Sequence, residues 1–139
     1  MKQLLFAFAC LVAITTSCKQ ESKKEQPNSK MAEVMAIHDE VMPKMGTIGK
    51  LVAELKPMAD TSQTDSTYIK AVTDLQDAHR SMMDWMKGFG ERFDSEEILK
   101  GKPLTPEKQK WLEEEEIKVK AMRDEVNQSI KNAEQLLSQ

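Results

Sequence analysis

Residues 66–93, STYIKAVTDLQDAHRSMMDWMKGFGERF, decide the fold. Within them Val72, Leu75, His79, Met82, Met86, Phe89 and Phe93 recur at alternating intervals of three and four. That interval returns to the same side of a helix at every turn. The segment is therefore expected to be a helix with one apolar face, starting near Ser66 or Thr67. Gly88 and Gly90 weaken its end, and Asp94-Ser95-Glu96-Glu97 can cap one further turn closed by Gly101.

Working back towards the N-terminus, a second stripe runs through Val34, Ile37, His38, Val41, Met45, Ile48, Val52 and Leu55. It predicts a helix over residues 31–56, with Glu33, Asp39 and Glu40 early and Lys50 and Lys56 late, the order the helix dipole favours. Pro43 lies inside this run. It removes one backbone donor and crowds the turn before it, so a kink is expected near Asp39–Met42. Pro57 and the polar stretch from Asp60 to Ser66 are expected to end the helix. Gly46 and Gly49, three apart, read as a place where another helix comes close.

Towards the C-terminus, Thr105 is a cap, Pro106 suits the first helical position, and Glu107 adds negative charge to the first turn. Leu112, Val119, Val126 and Ala133 then fall seven apart, with Met122 and Leu136 in the intervening turns. Glu113–Glu116 reads as a solvated face, although Glu115 falls on the apolar seam. Short links favour antiparallel neighbours. The expected fold is all-α, an up-down-up antiparallel three-helix bundle with a kinked first helix, occupying residues 31–139.

The first residues read as an address. After Lys2, Leu4–Ile14 (LLFAFACLVAI) is an apolar run too short to span a bilayer and of the length of a secretory h-region. Small residues follow, and Ser17 precedes Cys18. This pattern resembles a bacterial lipoprotein signal, with Thr15 where the usual lipobox has Leu. Residues 1–17 are then a removed signal peptide. Cys18 is the lipid-attachment residue, and residues 18–30 form an anchored, disordered tether without an apolar side chain after Cys18. Two or more acyl chains hold stably to a membrane where one does not. The expected location is the cell envelope, lipid-anchored, at the outer membrane. Once Cys10 leaves with the signal, one Cys remains, which excludes a disulfide framework, a Cys-based zinc cluster and an internal cysteine nucleophile.

Two strings, His38-Asp39-Glu40-Val41-Met42-Pro43-Lys44-Met45 and Met82-Met83-Asp84-Trp85-Met86, resemble small Bacteroidota lipoproteins often labelled "viral A-type inclusion protein". They stand in that order between a lipoprotein signal and a Glu/Lys-rich last helix. The resemblance implies envelope localisation and helical architecture, and brings no catalytic residues. Asp65-Ser66-Thr67 likewise resembles a Bacteroidota O-glycosylation sequence and serves equally as a helix cap.

The chain carries 20 Lys and Arg against 23 Asp and Glu, a net charge of −3, with no clustered basic stretch. Nucleic acid is therefore not an expected partner. No P-loop, GxSxG, HExxH or dinucleotide fingerprint is present, and no enzymatic activity is expected. The unusual feature is methionine, ten residues in all. His38 precedes Met42 and Met45 by four and seven, and His79 precedes Met82 and Met86 by three and seven. With a turn between Lys56 and Ser66, His79 is expected level with Pro43, and Met83 level with His38. Thioethers and imidazoles together suit Cu(I), giving a candidate site of His38, Met42, Met45, His79, Met82, Met83 and Met86. A His–Met pair also ligates haem, for which three helices leave little room. The competing explanation is that methionine fills cores and lines adaptable binding surfaces. On that explanation the chain is an envelope interaction or structural module, with a protein partner on an exposed helix face. Cu(I) binding is the alternative.

Overall fold

The computed structural model describes residues 27–61 and 66–139. The signal residues, Cys18, the start of the tether and Asp65 lie outside these. Five helices follow in order: α1 Pro27–Val41, α2 Lys44–Thr61, α3 Ser66–Arg92, α4 Ser95–Leu99 and α5 Pro106–Leu137. No strand occurs among the described residues, and the all-α fold is as expected. α1 and α2 form the first arm, α3 the return and α5 the final arm. Lys30 meets Glu116 at 3.1 Å and Lys44 meets Asn127 at 2.7 Å, so the first arm runs parallel to α5. Arg92, at the end of α3, meets Glu114 and Glu115 near the start of α5, so these two are antiparallel.

The expected kink is an interruption at Met42–Pro43. The Met42 N–H still reaches the His38 carbonyl at 2.8 Å, but Pro43 has no N–H for Asp39, and Met45 bonds only three residues back, to Met42, at 3.2 Å. The break redirects the chain. α1 packs chiefly on α5, whereas α2 packs chiefly on α3.

Pro57 behaves otherwise and corrects the expectation that it ends the helix. α2 continues through it to Thr61, whose Oγ1 donates to the Pro57 carbonyl at 2.9 Å. The carbonyl that Pro57 leaves unbonded belongs to Ala53, on the exposed face, where water can satisfy it. α1 also begins at Pro27, four residues before the apolar stripe, and Lys30 in its first turns is held by Glu116.

The faces came out rotated from the expected stripes in one place. α3 buries Ala71, Leu75, Ala78, Met82, Trp85 and Phe89, so His79 lies outside the core and Val72 and Met86 at its margin. Ala71 and Ala78 carry little apolar area, and their small size lets the neighbouring helices seat against α3. On α5 the heptad is as read: Leu112, Val119, Val126 and Ala133 are buried with Met122. Gly46 and Gly49 mark no close approach, because a Cβ built at either meets nothing within 4 Å.

The α3–α5 connection is built around α4. Asp94 Oδ1 accepts from the amides of Glu96 and Glu97 at 2.9 and 3.0 Å, while Glu97 Oε2 accepts from the Asp94 amide at 2.8 Å, a reciprocal capping box. Gly101, at φ 68°, ends the turn in a conformation open to glycine, and the Lys102 N–H closes on the Glu96 carbonyl at 3.2 Å. Lys108 Nζ, from α5, donates to Glu97 Oε2 at 2.6 Å. Burial pushes the Glu97 carboxyl up, but the Lys108 hydrogen bond and the Asp94 amide outweigh it and hold the group below its ordinary value. Thr105 caps α5 through the Lys108 amide, with Pro106 in the first turn, as the sequence predicts.

Candidate functional site

The fold gives the seven residues proposed as soft ligands different settings. His38 sits half-buried at the end of α1. Its Nδ1 lies 2.9 Å from Asp39 Oδ1, and its ring is 5.9 Å from the Trp85 ring at 35°. Trp85 stacks in turn on Phe89 at 4.9 Å, and Phe89 packs on Phe93 at 4.8 Å. His38 thus heads an aromatic ladder along α3. Met82 is fully buried in the core. Met42 falls at the Pro43 break, and Met45, Met83 and Met86 are half-buried at the core's edge.

His79 is exposed and does not reach the level of Pro43. It lines a groove of about 430 Å³ together with Gln76, Arg80 and Met83 of α3 and Ile48, Gly49 and Val52 of α2. The shift has a simple origin. Because α2 runs five residues beyond Lys56, the turn moves along the chain and His79 faces α2 farther from the break. His38 keeps nearly its expected height, two residues from Met83, because α1 bends away at Pro43. The two histidines therefore lie on opposite sides of that break along the first arm.

A second cleft, of about 470 Å³, lies between α3 and α5 and includes Asp84, Trp85, Gly88, Glu115, Lys118 and Glu125. Its floor is charged and already partnered. Glu115, only 2 % exposed, receives Arg92 at 3.1 Å and Lys118 at 2.8 Å. Arg92 also lies 5.6 Å from the Trp111 ring, where cation and aromatic face attract. Trp85 Nε1 is buried without a hydrogen-bond partner.

Among the described residues no group of three or more His, Cys, Asp or Glu could hold a metal ion, and no helix is long and apolar enough to cross a membrane. Thioethers stand outside the first statement, so hard-cation and zinc-type clusters are what it addresses. Comparison with protein families, with curated proteins and with solved structures finds no match. Sequence reading did not single out the pairing of Glu115 with Arg92, or the α2/α3 groove that Gly49 lines. A carboxylate on an apolar seam was the available signal for the first.

Proposed function

We propose that the chain is a lipid-anchored envelope module that binds another protein through its α2/α3 face and has no catalytic activity of its own. The observation that carries this reading is the groove of Ile48, Gly49, Val52, His79 and Met83, with Met45 and Met86 half-buried elsewhere along the same two helices. Flexible thioether side chains at a half-exposed seam adapt to the shape of an incoming apolar surface. An amphipathic helix laid into a groove between two helices is the partner this shape suits. The h-region, Cys18 and the polar tether support anchoring at a membrane, with the outer membrane as the proposed site.

Two measurements test it. A photo-crosslinking residue placed at Val52 or Met83 in cells is expected to give one discrete heteromeric adduct. The same residue at Glu113 or Lys131, on exposed parts of α5, gives none. Adducts from all four positions alike, or from none, overturn the docking face. Separately, Cys18→Ala is expected to leave unprocessed precursor or release the protein from membranes. Unchanged processing and detergent partitioning would remove the anchor from the proposal.

A further inference from the structure

We infer that the α2/α3 groove is also a soft-metal site, taking one Cu(I) ion on the His79 imidazole and the Met83 thioether, with Met45 as the third ligand. The inference uses the face assigned above to protein docking, and it narrows a seven-residue candidate set by geometry. His79 and Met83 are one turn apart on α3, and both line the same groove. The facing wall is Ile48, Gly49 and Val52, which offers no carboxylate. Gly49 leaves space there, since a Cβ at that position meets nothing within 4 Å. Met45 lies one turn before Gly49 on the same side of α2 and is half-buried. Ile48–Val52 of α2 face Gln76–Met83 of the antiparallel α3 across the groove, so Met45, before Ile48, stands towards its Met83 end.

The chemistry follows from this donor set. Hard cations favour charged oxygen ligands, and the groove's own lining offers the His79 imidazole, the Met83 thioether and only the neutral Gln76 amide, a set that favours Cu(I). Low coordination number suits it as well, because two donors from one helix and one from the other are enough. Arg80 is the nearby charge that opposes a cation, and it pairs with Asp77 at 3.1 Å. Two of the other candidates fall away for physical reasons. Met82 is sealed in the core, and His38 is engaged by Asp39 and Trp85 on the far side of the Pro43 break.

The test is an anaerobic Cu(I) titration of the purified full chain against a competing chelator, with Cys10→Ser and Cys18→Ser so that no thiol competes. One ion per chain is expected. His79→Ala or Met83→Leu should lower affinity at least tenfold, Met45→Leu should lower it less, and His38→Ala should leave it unchanged. Methyl resonances of labelled methionine provide a second readout, with Ag(I) as a diamagnetic stand-in. Met83 and Met45 should shift, while buried Met82 and Met122 stay in place. No binding at micromolar copper, binding indifferent to His79 and Met83, or shifts confined to other methionines would overturn the site. These measurements use isolated protein, so their failure leaves the cellular crosslinking result standing, and the reverse also holds.

Discussion

Two seams run along α3, and they are made of different materials. Towards α5 the seam is held by groups that accept few alternatives: Glu115 paired with Arg92 and Lys118, Arg92 set near Trp111, and the capped α4 turn latched by Lys108. Towards α2 the outer seam is apolar and half-open, with Met83 lining the same groove as Gly49 and with Met45 and Met86 half-buried on the two helices. Buried charge that must find its partner fixes one arrangement of α3 and α5. Methionine contacts tolerate several arrangements at little cost. The first seam holds the register, and the second is free to receive something.

The largest expected effect lies on the charged seam. Arg92→Ala leaves buried Glu115 with Lys118 alone and should cost about 2–3 kcal/mol, short of the full penalty for stranding a buried carboxylate. Glu115→Leu removes the charge along with its need for partners and should cost much less. Urea denaturation of both variants checks the pair, and equal losses would contradict the assignment.

Acid should act on the same side of the molecule. The amide of Glu97 and the Lys102 ammonium help hold Asp94 below its ordinary value, Lys108 and the Asp94 amide hold Glu97 there against burial, and Lys120 and Lys30 hold Glu116 there. Carboxylates with lowered native values stabilise the fold fully above their unfolded values, and that contribution is lost as pH falls through the lowered ones. Melting temperature should therefore drop below about pH 4.5, the ordinary Glu value, and Glu97→Gln should flatten that drop. An unchanged acid profile in Glu97→Gln would separate the α4 latch from acid sensitivity.

The smallest effect belongs to the open seam and has the opposite sign. Gly49→Ala adds a methyl group into free space on a helix and should raise stability by about 0.5–1 kcal/mol. A loss would mean that the α2/α3 groove is tighter than the backbone there allows.

What could be read from the sequence follows the same division. The seven-residue period of α5, the Thr105-Pro106 start and the Asp94–Gly101 turn were legible because local chemistry alone determines them. The face of α3 was harder, since Ala71 and Ala78 are core positions that hydrophobicity barely marks. The groove was least legible. It depends on where the α2/α3 turn falls, and that depends on whether a proline stops a helix. Pro43 interrupts the first arm, where α1 goes on to α5 and α2 to α3. Pro57 stands four residues from the end of α2 on an exposed face, and the helix passes through it. Five extra residues were enough to move His79 from the level of Pro43 to Ile48–Val52.

The two tryptophans give this architecture an optical signature. Trp85 is enclosed between His38 and Phe89 with its indole N–H unbonded, whereas Trp111 is half-buried close to the Arg92 guanidinium. Indole emission moves to the blue as the ring is shielded from water and to the red as water reaches it. One fluorophore therefore reports on the interior of α3, and the other on the closure of α5 over the end of that helix. Loosening of the charged corner would redden one component of the spectrum while the other kept its colour.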